Sequence, residues 1–340
     1  MNRDQLRATV LGFAAVALIL GALIALNDVN EIVARLSAAD PAIAGLLVAV
    51  TLGWLAAWGI ALRTVLGVLG VRIGVGTAFG VFSGAMFANN VTPFGQAGGE
   101  PITALLVSAV TDTEYERGLA AIASVDTLNF FPSITLALVG AGYYATITTF
   151  TRQLRVATGA VVVLAVVVPI AGYASWRSRD RLTETAIDRL VPIVRRVTRL
   201  IPGVTPPSAE GVARRIEQFV TSVERVAADR RGVAVALAAS TVGWTFQMGG
   251  LWLAFRAIGQ PVDVLVMLFV VPMGAIAGAT PTPGGAGIIE SVLVVLLVLL
   301  LPVERSTATA AVILFRGAVY WVPVIVGGGV VSYVGVDVFG

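Results

Sequence analysis

Four ionisable residues stand inside otherwise apolar stretches of this 340-residue chain: Glu100, Asp126, Glu290 and Arg316. Charges at membrane depth are costly and mark substrate or ion pathways. A carboxylate in such a place can hold a proton or a cationic group, and a planar guanidinium matches a phosphate bidentately. Asn89, Asn90 and Gln96 add neutral hydrogen-bonding capacity near Glu100 in the sequence. Two structural roles compete with these. An acid in the first turn of a helix complements the positive dipole and accepts orphan N–H bonds, which suits Glu100 and Glu290. Asp126 and Arg316 would offset one another as a buried pair.

Much other chemistry is excluded by composition. The chain has no cysteine, which removes disulfides, thiol nucleophiles and Cys-ligated metal sites. It also has no histidine, the commonest general base and metal ligand. Four scattered charges do not make a metal centre, and no nucleophile stands beside a base. The expectation is therefore no catalytic residue, no metal, no cofactor and no enzyme.

The elements that must position these residues are membrane helices. Hydrophobic residues make up 57% of the chain and charged residues 13%, with a mean hydropathy of +0.90. A soluble domain carries about a quarter charged residues. Uncharged or nearly uncharged runs long enough to cross about 30 Å of hydrocarbon lie at 8–26, 41–62, 118–139, 156–176, 232–255 and 306–335. They predict an all-α integral membrane protein, a polytopic bundle with about six full spans.

Two further apolar regions are broken. Residues 73–110 are interrupted around Pro93, Gly95, Gly98 and Gly99; residues 264–303 are interrupted around Pro281, Pro283, Gly284, Gly285 and Gly287. Proline removes a backbone donor and glycine lowers helix propensity, so such backbone is tolerated at membrane depth only inside protein or beside a wet cavity. Both regions read as re-entrant broken-helix hairpins. Arginine placement puts the N-terminus and the polar stretch 177–231 in the cytoplasm. By parity the first hairpin then enters from the cytoplasm and the second from outside. With Pro93 laid on Pro283, Gly95 meets Gly285 and Glu100 meets Glu290. Paired breaks of opposite topology are the mark of inverted-repeat transporters.

The chain reads as one transmembrane domain, 1–340, with a cytoplasmic Arg-rich insertion at about 177–231. That stretch holds twelve arginines against seven acids. Its apolar residues Leu182, Ala186, Leu190 and Ile193, and again Val212, Ile216, Phe219, Val223 and Val226, recur at helical spacing. The arginine-rich faces suit anionic headgroups or simple positive-inside topology. The net charge of +3 is carried by arginines at the membrane edge and implies no nucleic-acid partner.

The blocks Thr92–Glu100 and Pro281–Glu290, with Phe315-Arg316 followed by Tyr320-Trp321-Val322-Pro323, resemble the lysylphosphatidylglycerol synthase transmembrane domain family over about residues 40–335. Asp126 falls where that family tends to carry an acid. The resemblance implies a lipid flippase-like domain, like the membrane part of multiple peptide resistance factor without its soluble synthase domain. On that reading Glu100, Asp126, Glu290, Arg316, Gln96, Asn89 and Asn90 bind or gate a polar lipid headgroup in a central polar cavity. The alternatives are an ion-coupled small-solute transporter and a non-catalytic membrane partner of a lipid-linked glycosyltransferase. Expected partners are membrane lipids, anionic headgroups at the cytoplasmic face, and a lipid-modifying enzyme or a second copy. The expected location is the cell membrane, with both termini cytoplasmic.

Overall fold

The computed structural model describes residues 29–92, 95–147, 152–199, 207–278 and 282–335. These residues are all-helical, with no strand among them. The α-helices are α1 (Val29–Ser37), α2 (Pro41–Val68), α3 (Val75–Val91), α4 (Gln96–Thr111), α5 (Tyr115–Ile147), α6 (Arg152–Arg177), α7 (Arg179–Arg199), α8 (Ala209–Ala228), α9 (Arg230–Ala257), α10 (Met267–Ala277), α11 (Ile288–Leu300) and α12 (Arg305–Val334). The expected span at 8–26 lies outside the described residues, as do Pro93 and Pro281.

At the centre α2 and α9 pack along their whole length. Each begins at an aspartate whose carboxylate accepts from the first free amides: Asp40 from Ala42 at 2.8 Å, and Asp229 from Arg231 and Gly232 at 3.1 Å. Such caps satisfy donors that a helix start otherwise leaves unpaired. Asp40 N–H donates to the carbonyl of Ala257 at 2.8 Å, while Gly232 lies against Val68. The start of each helix therefore meets the end of the other, and the two run antiparallel. Trp58 of α2 and Trp244 of α9 meet edge to face with centroids 5.6 Å apart. Their indole N–H groups donate to Ser240 and Asn129 carbonyls, each at 3.1 Å, so neither buried ring strands a donor.

The remaining packing falls into two matching sets. α3 packs on α4, α4 on α5, and α10 on α5; correspondingly α10 packs on α11, α11 on α12, and α3 on α12. Exchanging α2–α5 with α9–α12 thus maps the helix pairings onto themselves. The cross-packed pairs also share a close backbone approach. Gly327 of α12 lies on the Ser83 carbonyl of α3, and Gly140 of α5 lies on the backbone of Leu268 and Phe269 in α10; a Cβ at either glycine would overlap main chain.

Five helices among the described residues are long and apolar enough to cross a membrane: Pro41–Val68, Tyr115–Ala145, Thr158–Arg177, Pro283–Leu300 and Arg305–Val334. Two of these assignments differ from the sequence expectation. The 232–255 run forms α9, long enough to cross, but is not among the five; Ser240, Thr241, Thr245, Gln247 and its glycines dilute its apolar character. Pro283–Leu300, expected as half of a hairpin, is among the five by length and composition, although only Ile288–Leu300 of it is continuous α-helix. Thr158–Arg177 has only 6% of its apolar window buried in protein, which leaves Val162, Val163, Val166 and Val167 facing outward as on a lipid-facing helix.

The Arg-rich insertion folds as two helices, α7 and α8, that pack on one another. The expected face of α8 is the one turned inward, with Val212 and Val226 buried against the bundle. An ion pair from Arg215 to Glu116 at 3.2 Å fastens α8 to the start of α5. In α7, by contrast, Leu182, Leu190 and Ile193 stay exposed.

Candidate functional site

The two breaks come together beside α12. At the second, Thr282 leaves an extended backbone, Pro283–Gly285 make a single 3-10 turn, and α11 starts at Ile288. Gly284, Gly285 and Gly287 all have positive φ, a conformation an L side chain takes only at a cost. Gly284 is further required because a Cβ there would meet Asn90 Oδ1 and the Tyr320 ring. Asn90, at the end of α3, is thereby seated on the second break. The junction is closed by reciprocal bonds: Tyr320 O–H donates to the Asn90 carbonyl at 2.9 Å, and Asn90 Nδ2 donates to the Tyr320 carbonyl at 3.1 Å.

Glu290 and Arg316 form the charged core of this second break. Arg316 Nε donates to Glu290 Oε1 at 2.7 Å, and Arg316 Nη2 donates to the Gly284 carbonyl at 2.9 Å. Glu290 Oε2 accepts from Gly287 N–H at 2.6 Å, so the acid caps α11 as well as pairing. Both side chains are 11% exposed. The guanidinium also stands over the Tyr320 ring, 5.9 Å from its centroid. Every strong electrostatic demand here is met within the protein, which is the condition for a buried ion pair to be tolerated.

The first break is wired differently. Gly95 has positive φ and α4 starts at Gln96, so Glu100 lies a full turn inside the helix and does not cap it. The charged group that acts on its carboxyl is the Asp126 carboxyl of the neighbouring α5. Two like unit charges in contact repel by about 4 kcal/mol at an effective dielectric near 20. Asp126 is 7% exposed, and neither of its oxygens meets a donor among the described residues. The expected offset of Asp126 by Arg316 is therefore not made: Arg316 is committed to Glu290 and the Gly284 carbonyl.

Neutral polar groups gather around this acidic pair. Asn129, one turn beyond Asp126, is 6% exposed with both side-chain amide atoms unpartnered. Asn89 is 8% exposed; its Oδ1 is unpartnered and fills the space a Cβ at Gly99 would take, next to Glu100. Gln96 opens α4, but its side chain lies outside what the structure describes. The broken-helix residue Gly98 donates its N–H to Gly95 O at 3.1 Å, closing the first turn of α4.

Sequence reasoning named Asn89, Asn90, both glutamates, Asp126 and Arg316, and the structure brings Asn90, Glu290 and Arg316 to one break and Asn89, Glu100 and Asp126 to the other. It missed Asn129 and the part Tyr320 plays. It also missed a signal that was present: Glu100 stands as far before Asp126 as Glu290 stands before Arg316, a separation of 26. Among the described residues no group of three acidic side chains could hold a metal ion. A cleft of about 270 Å³ lies between the start of α5 and α8, lined by Glu114, Arg117, Arg214, Glu217 and Arg225 among others, and not by the break residues.

Comparisons with known proteins place the chain among membrane proteins. The family model described as the lysylphosphatidylglycerol synthase TM region matches residues 9–327. A UPF0104 membrane protein of Methanothermobacter thermautotrophicus is 25% identical over 334 residues, covering 96% of this chain and 93% of its own length. A second from that organism is 24% identical, covering 97% and 94%. Glycosyltransferase AglD of Haloferax volcanii is 28% identical over 332 residues, which is 92% of this chain but 51% of that protein.

Proposed function

The chain belongs to the lysylphosphatidylglycerol synthase transmembrane region family, and from that premise we propose that it is a flippase-like transporter that moves a polar or charged lipid headgroup between leaflets. One observation carries the reading: two broken helices, each bringing buried charge to the bundle interior, are joined through Asn90, Gly284 and Tyr320. Broken helices beside buried charge are how transporters build sites near the bilayer midplane. The headgroup enters between the two halves while the tails stay in lipid. The two broken segments gate it as re-entrant hairpins from opposite faces, a topology that the antiparallel α2 and α9 favour.

Arg316 exchanges its protein partners for the headgroup's phosphate, the carboxylates hold its cationic group or a coupled ion, and no bond is made or broken in the cycle. We place the protein in the cell membrane with both termini in the cytoplasm. The likeness to half the length of a glycosyltransferase supports a second reading, in which the chain serves as the membrane partner of an enzyme acting on lipid-linked sugar.

The test is reconstitution in liposomes containing fluorescent lipids of differing headgroup, scoring the arrival of each in the outer leaflet. Protein-dependent movement that is lost in Glu100→Gln is the expected result. If folded protein moves no lipid offered, the transport reading fails and the partner reading takes its place.

A further inference from the structure

The two halves differ at one repeat-equivalent position, and the difference is a missing positive charge. When Pro93 is laid on Pro283, Glu100 falls on Glu290 and Asp126 falls on Arg316. In the second half the glutamate is neutralised by the arginine at 2.7 Å. In the first half the same place holds an aspartate, so a half-buried acid faces a buried one. Nothing else on the described elements compensates. Both Asp126 oxygens lack a donor, as do Asn89 Oδ1 and Asn129 Oδ1. Tyr115, at the start of α5, is the further titratable group within electrostatic reach of Glu100, and it brings no positive charge.

A protein interior does not leave two adjacent carboxylates ionised and unpartnered; one positive charge is taken up between them. Lined by two carboxyls and the amide side chains of Asn89 and Asn129, with both Asp126 oxygens unpartnered, the cluster is chemically a site for a hard, singly charged cation. We propose that Glu100 and Asp126, with the amide oxygens of Asn89 and Asn129, bind one monovalent cation, a proton or sodium, which bridges the two acids as the Arg316 guanidinium bridges Glu290 to Gly284. The inference rests on the transport reading for its purpose, since the bound ion is the one coupled to movement of the substrate. Occupancy of the site is testable without any transport.

The full chain is purified in detergent, and its melting temperature is followed against sodium chloride, with choline chloride holding ionic strength constant, at a series of pH values. Wild type shows a saturable rise in melting temperature. If the rise follows sodium at fixed pH, the ion is sodium; if it follows acidification without sodium, the ion is a proton. Asp126→Asn and Glu100→Gln each abolish the response, and in choline chloride at high pH each melts above wild type because a repulsion has been removed. Asp126→Arg, which imports the partner used in the second half, also removes the response.

A wild type indifferent to both ions overturns the proposal, and so does a response retained in both neutral variants. Melting of both neutral variants below wild type overturns it too, because the acids would then be structural. Stabilisation that appears only with an amine-bearing lipid overturns it in favour of a headgroup site. A clear ion response in protein that moves no lipid leaves the site standing and removes the flippase reading instead.

Discussion

The two breaks carry the same motif and end in opposite electrostatic states. After its proline each runs to a glycine two residues on and a glutamate seven residues on. At the second break α11 starts at Ile288, so Glu290 falls in the first turn, caps it through Gly287 N–H and pairs with Arg316. At the first break α4 starts relatively earlier, Glu100 is carried past the capping position, and Asp126 stands where the arginine would be. A local motif decides where a helix breaks. A residue 26 positions further on decides whether that glutamate meets an arginine or a second acid.

The largest expected effect breaks the settled side. Arg316→Ala leaves Glu290 buried without its partner and should cost about 3–5 kcal/mol of stability. Replacing both residues by apolar ones of similar volume should recover most of that loss, and thermal melts of the single and double variants measure the coupling. A mild Arg316→Ala would mean that the two breaks are not electrostatic opposites.

Backbone crowding is the next largest. Gly99→Ala would press on Asn89 and Gly327→Ala on the Ser83 carbonyl, each costing about 1–3 kcal/mol by overpacking. Gly329→Ala, on the same helix with nothing within 4 Å, is the matched control and should not destabilise. Smaller still is Tyr320→Phe, which deletes the bond to the Asn90 carbonyl for about 1 kcal/mol and should leave any cation response of the first break untouched. Asp126→Asn sharpens the contrast by sign, since it should raise the melting temperature of cation-free protein. The same chemical change at Glu290, to Gln, should lower it, because Arg316 then loses its counter-charge.

The helical membrane class and both breaks were legible in the sequence, because long apolar runs and clustered prolines and glycines act locally. So were the acids, because a charge inside an apolar run stands out. Partner choice was not legible. Asp126 and Arg316 look like natural complements in a list of charges, yet Arg316 is claimed by Glu290 on the neighbouring α11, and Asp126 is turned toward α4. That outcome follows from which helices pack together, which no single segment specifies. The partner of α9 was likewise hidden: 232–255 reads as a span, but that its small and polar residues serve contact with α2 is set by packing and not by the segment itself. The equal separations of Glu100 from Asp126 and Glu290 from Arg316 could have been read in advance, as a repeat in which one position had changed the sign of its charge.

The exchange of partners between halves also bears on how the chain is made. Asn90 bonds to a residue 230 positions later. At roughly 5–20 residues per second, the ribosome needs about 12–46 s to deliver Tyr320 after Asn90 has emerged. Over that interval α3 must wait without α12, the helix it packs on. The junction of Asn90 with Tyr320 therefore closes late, after the second half has been made.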